Sequence, residues 1–195
     1  MRSGVVDRVL LSPSPINLNY GQNLLSANDF ASGWSPSEVT LTPGFAIGPP
    51  AHQRNAMKMV ESTNNTDHNF SQTYTKGASA IAYEFIAAAR RLPGSGIRHF
   101  TNFIFNGSFS SGTQCNVDLD TGQMFTSGTF GAFTAVSNDV RYVGLGWWFL
   151  RMRFTTDAVA NLLLIPGMNV AGFPSPYVGD GFSGLLLIGG ILRAT

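Results

Sequence analysis

From Asn23 onward the chain reads as short apolar runs cut by Gly, Pro, Asn and Ser. That pattern predicts many strands and turns. Residues 39–42 are β-rich and are closed by Pro43 and Gly44. Residues 56–60 alternate, with Met57 and Met59 on one face. Phe70, Gln72 and Tyr74 alternate against Ser71 and Thr73, and residues 98–106 are aromatic and β-branched. In residues 147–156 the period of two puts Trp148, Leu150, Met152 and Phe154 on a core face. Trp147, Phe149, Arg151 and Arg153 then share the opposite face. The run from Phe182 to Leu192 is nearly all apolar and predicts a central strand.

Residues 79–92 satisfy two templates. Their alanines, Glu84 and leucine favour a helix. They also alternate, with Ile81, Tyr83, Phe85 and Ala87 on one face, between a Lys76–Gly77 opening and a Pro93–Gly94 close. Propensity is the weaker prior where a sheet offers pairing partners, so a strand is expected. Residues 1–22 differ from the rest. Two Ser-Pro pairs bias the chain to extended geometry and remove backbone donors, which predicts an extended N-terminal arm. The expected organisation is therefore an arm over 1–22 and one all-β domain over 23–195.

Composition narrows the function. Only 12% of the 195 residues are charged, and the net charge is +1. Such a chain exerts little long-range pull on nucleic acid or anionic membrane. A surface built of Asn, Ser, Thr and Gly is cheap to bury against a neighbour, because few charges need desolvating. No apolar run approaches the ~20 residues that span a bilayer, and the run Val9 to Leu11 is too short for a signal peptide. A soluble, cytoplasmically made protein is expected. The single cysteine, Cys115, reads as a reduced structural thiol.

Candidate catalytic chemistry is sparse. His52, His68 and His99 stand in different regions, and no spacing matches a zinc set. Glu38, Glu61 and Glu84 stand alone, whereas glycoside hydrolysis needs two facing carboxylates. Asp118 and Asp120 lack the local oxygen ligands calcium requires. No cofactor, metal or catalytic residue is assigned. Trp147, Phe149, Tyr177, Phe103 and Phe105 are the candidate rings for an interface or for stacking on a glycan. His68 and Gln72, four apart and so on one strand face, are candidates for a buried polar network.

Several landmarks together resemble the carbohydrate-binding-module-like jelly-roll domain of bacteriophage and prophage virion proteins. They are residues 23–26, Asp29, Phe30 and Trp34, the strand at 39–42, and Gly48 with Pro49 and Pro50. His68 and Gln72 follow, then the turn 117–122, Gly146 with Trp147 and Trp148, residues 177–185 and 189–192. The set covers Asn23 to Leu192. Two departures stand out: no lysine follows the aromatic run near 87–91, and 99–112 is unusually rich in Phe, Asn and Ser. The resemblance implies an antiparallel β-sandwich of jelly-roll type. It implies a non-enzymatic virion protein; the arm is the basis for expecting a capsid decoration or head-fibre base subunit tethered through residues 1–22 to capsid or tail proteins, and the frequency of symmetric assembly is the basis for expecting a homotrimer. The alternative it implies is a tail-associated module that binds a bacterial surface glycan. Exposed aromatics in a groove would favour that alternative; burial of Trp147 and Tyr177 would weaken it.

Overall fold

The computed structural model describes residues 23–25, 30, 32–49, 55–170 and 176–195. The expected arm, residues 1–22, and His52 lie outside the described residues. The strands are β1 (Ser35–Ser37), β2 (Val39–Ile47), β3 (Asn55–Glu61), β4 (Asn65–Thr66), β5 (His68–Thr75), β6 (Ala82–Arg91) and β7 (His99–Asn106). They continue with β8 (Gly112–Asp118), β9 (Met124–Phe130), β10 (Thr134–Gly144), β11 (Trp147–Thr155), β12 (Asn161–Asn169), β13 (Tyr177–Val178) and β14 (Gly184–Ala194).

Two six-stranded antiparallel sheets form the sandwich. The first runs β1-β5-β12-β7-β8-β9, the second β10-β11-β6-β14-β3-β2, and a short ladder joins β13 to β4. No helix occurs among the described residues. This is the all-β, jelly-roll type of sandwich. Strands distant in sequence lie side by side, as in β5-β12-β7, while consecutive strands pair as hairpins in β2-β3, β7-β8-β9 and β10-β11.

Between the sheets lies the main core. Phe70, Phe100, Ile104, Leu162 and Leu164 of the first sheet meet Phe85, Met152, Phe154, Leu185 and Leu187 of the second. Phe30, Trp34 and Phe70 close one side as a cluster of tilted rings 5.1–5.2 Å apart. Their packing depends on Gly190. At φ +67° it follows Gly189 in a bulge of β14, and a Cβ there would sit 2.6 Å from the Phe30 ring.

The ambiguous segment is a strand, β6, paired with β11 on one side and β14 on the other. Pairing on both edges outweighs helix propensity, because a central strand satisfies every backbone group. Its alanines fit that place: Ala87, Ala88 and Ala89 are buried, facing Leu150, Phe149 and Trp148. β11 alternates as its period requires. Leu150, Met152 and Phe154 enter the main core, with Trp148 packed partly against it.

Candidate functional site

The outward side of the first sheet is built from rows that cross β12, β7 and β8. Cross-strand register places Leu163, Phe105 and Gly112 in one row, and Ile165, Phe103 and Gln114 in the next. Gly167, Thr101 and Asn116 follow, then Asn169, His99 and Asp118. From Phe105 to His99 this face runs about 20 Å at the usual strand rise. One end is aromatic and the other polar.

At the aromatic end the Phe103 and Phe105 rings stack, with centroids 5.5 Å apart and planes 7° apart. Phe109 and Phe130 approach Phe105 at 5.3 and 5.8 Å. Gly112 makes this possible: a Cβ there would lie 2.8 Å from Phe130 and 3.1 Å from Phe105. Phe103 and Phe105 are half-buried, whereas Phe109 and Phe130 are exposed. Beside the stack opens a cavity of about 210 Å³, bordered by Phe103, Phe105, Ile165, Thr101, Asn69 and Asn169, with Asp67 at its edge.

At the polar end the side chains of Thr101, Asn116 and Asn169 are buried. Their polar atoms have no hydrogen-bond partner among the described residues. His99 stands beside them, its Nδ1 3.8 Å from an Asp118 oxygen and its ring 4.9 Å from Phe125. Burial pushes the His99 imidazole below its ordinary range, and the nearby Asp118 and Asp120 charges only partly oppose this. His99 is therefore neutral at pH 7. Asp118 is engaged in its own turn, accepting from the Asp120 N–H at 2.7 Å and the Thr121 hydroxyl at 2.9 Å.

The other sequence-predicted rings lie elsewhere and are covered. Trp147 and Phe149 point away from the main core, as their alternation required, but are only 0% and 3% exposed. They belong to a second apolar cluster with Ile86, Ala88, Val143, Leu186, Ile188 and Ile191. The apolar residues that β6 and β14 contribute to that same face explain the burial. Tyr177 is 9% exposed, and its hydroxyl donates to Glu61 at 2.7 Å. None of these three offers a free ring to a ligand, so a glycan platform built on Trp147 and Tyr177 loses its support, and any glycan reading must stand on other rings.

Tyr177 is part of a buried ionic network. Glu61 accepts from the Arg98 guanidinium, the Tyr177 hydroxyl and the Asp180 N–H. The hydrogen bond to Glu61 holds Arg98 above its ordinary range, and burial followed by the Glu61 contact raises Tyr177. His68 lies at the network's margin, its Nε2 3.5 Å from the Ser62 hydroxyl and its ring 4.6 Å from Tyr177. Gln72 is buried on the same strand, beyond Phe70. The polar network thus centres on Glu61 and Arg98, which the sequence pattern did not single out.

Among the described residues, no group of three or more His, Cys, Asp or Glu is placed to hold a metal. Burial pushes the Cys115 thiol up to about 12, leaving it a poor nucleophile. Arg151 pairs with Asp139, while Arg153 and Arg193 both pair with Glu84, so these cations are used within their own sheet.

Alternation had a signal for the missed residues. In β7 it sets His99, Thr101, Phe103 and Phe105 on one side, and in β8 it sets Gln114, Asn116 and Asp118 opposite Cys115 and Val117. Asn69 and Asn169 carry no such local signal, because only the β5-β12-β7 order brings them there.

No protein family matches the chain, and no curated protein matches it. Solved structures do. The enzymatically active domain of tailspike protein 4 of bacteriophage CBA120 superposes with a TM-score of 0.50 at 15% identity, over 92% of this chain and 24% of that one. The chain thus spans about a quarter of that domain's length. A xylan-binding domain from Paenibacillus barcinonensis gives 0.48 at 11% identity, covering 89% and 91% of the two chains. A mannan-recognising carbohydrate-binding module gives 0.42 at 9% identity, covering 88% and 92%. At such identities what the tailspike domain and this chain share is the fold: a jelly-roll sandwich of the kind embedded in a larger phage protein.

Proposed function

We propose that the chain is a non-catalytic glycan-binding module that works as part of a phage particle. The observation that carries this reading is the stacked Phe103–Phe105 pair beside a cavity of about 210 Å³ on an outer sheet face. Sugar rings present flat sets of C–H groups, and the electron-rich faces of aromatic rings attract them while shedding water. Half-buried rings held by a sheet keep their position before a ligand arrives, so little ordering cost follows on binding. A concave site that sets polar side chains beside apolar rings can fix the orientation of a small ligand. The fold shared with a phage tailspike domain supports the setting.

This reading stands ahead of the capsid-decoration role. That role rested on residues 1–22 as a tether, and they lie outside the described residues. Attachment to the particle through those residues, and a homotrimeric state, remain parts of the proposal that light scattering and truncation test directly. The test of the main reading is retention of the purified chain on an immobilised glycan array, compared with Phe105→Ala. Retention that is lost in the variant supports it. Absence of retention on every glycan, or retention indifferent to Phe105, contradicts it.

A further inference from the structure

We infer that the glycan taken by this face is neutral, and that its hydroxyls or acetamido groups bond Thr101, Asn116 and Asn169. This inference rests on the glycan reading above and specifies its ligand.

The first argument is charge. The six strands of the first sheet contain not one Lys or Arg, and Asp118 is their single carboxylate. Arg98 directly precedes β7, but its guanidinium is spent on Glu61 and Asp180. Lys76 directly follows β5, and its ammonium donates to the carbonyls of Gly77, Ser79 and Asp157. An acidic sugar would lose carboxylate hydration here with no lysine or arginine to replace it, His68 being the one basic side chain among the cavity residues, and desolvating an unpaired charge is costly. Asp67 at the cavity edge and Asp118 in the last row would repel it further.

The second argument is hydrogen bonding. Thr101 Oγ1 and both polar atoms of the Asn116 and Asn169 side chains are buried without partners among the described residues. Each such atom is costly if left unsatisfied, so native structures seldom keep a cluster of them without use. Amides and a hydroxyl both donate and accept, and neutral sugar hydroxyls do the same. Thr101 and Asn116 are direct cross-strand partners. Thr101 and Asn169 both border the cavity that Phe103 and Phe105 flank, so one ligand meets rings and amides together. A sugar unit seated in that cavity would stack at Phe105 and Phe103 and bond first at Thr101 and Asn169.

The experiment is an NMR titration of the full chain. The probes are neutral tetrasaccharides of glucose, xylose, mannose, galactose and N-acetylglucosamine, with tetragalacturonate and tetrameric sialic acid as acidic probes. At least one neutral probe should bind about tenfold or more tightly than either acidic one, equivalent to about 1.4 kcal/mol. It should shift the side-chain amide signals of Asn116 and Asn169 in the unmodified protein. The double variant Asn116→Leu, Asn169→Leu should lose about tenfold in affinity for that probe. Tighter binding of an acidic probe that still depends on Phe105 would overturn this inference and leave the glycan reading standing. Neutral binding that leaves both amide signals unmoved would overturn it as well. Failure of every probe to bind would count against the glycan reading itself.

Discussion

The two outward faces of the sandwich are made from the same kind of alternating strand, yet they are opposites. In the second sheet β3, β6, β10, β11 and β14 carry Lys58, Glu84, Arg90, Arg141, Arg151, Arg153 and Arg193, and several of these charges are paired within the sheet. Arg153 and Arg193 hold Glu84, and Arg151 holds Asp139. The apolar residues that β6, β11 and β14 turn outward, Trp147 and Phe149 among them, are buried. In the first sheet the strands are almost free of charge, the rings are half-exposed, and buried amides are without partners among the described residues. One face buries its large rings and pairs several of its charges, although Trp147 Nε1 and Arg151 Nε have no partner among the described residues. The other keeps rings and polar atoms uncommitted, and that is where a ligand has something to add. Large aromatics are therefore a poor guide to a site until their face is known to be open.

The comparison can be broken most severely at the closed face. Trp147→Ala should destabilise by about 3–5 kcal/mol, through lost burial and the space left behind. In a chain of this size that corresponds to a fall of about 10 °C in the unfolding midpoint, read by calorimetry. Glu84→Ala should cost about 3 kcal/mol by stranding two guanidinium groups. It lies at the low end for buried pairs because Arg153 is partly exposed. A denaturant titration reports it. At the open face Phe105→Ala should cost about 1 kcal/mol of stability or less, yet lower glycan affinity about tenfold. Calorimetric titration beside a thermal scan separates the two effects.

The smallest effect concerns pH. Because burial lowers the His99 pKa, the proton binds the unfolded chain better than the folded one. Stability is then complete above the unfolded value of about 6.5 and falls as pH drops below it, by at most about 1.4 kcal/mol per unit for one proton. Thermal scans between pH 7.5 and 5.5 should show a steeper loss in the native chain than in His99→Asn.

Much of the architecture was legible in advance. Alternation in residues 147–156 separated Trp148, Leu150, Met152 and Phe154 from Trp147 and Phe149, and the structure keeps that division. The strand over residues 82–91 was legible because its apolar positions repeat every second residue. Alternation says which side a ring takes, but not whether that side is covered. Trp147 and Tyr177 were misjudged for that reason. Tyr177 is drawn inward by Glu61, which is 116 positions away in sequence. The site itself was half legible. Phe103 and Phe105 came from their own strand, whereas Asn69 and Asn169 reach them only through the order in which β5, β12 and β7 pair. That long-range pairing leaves no local trace.

The most direct test of the account is the affinity of Phe105→Ala for the best-bound neutral tetrasaccharide, measured beside its unfolding midpoint. The account predicts an affinity about tenfold weaker with the midpoint moved by no more than a few degrees. Unchanged affinity in a folded variant would contradict it and remove the first sheet's outward face as the binding site.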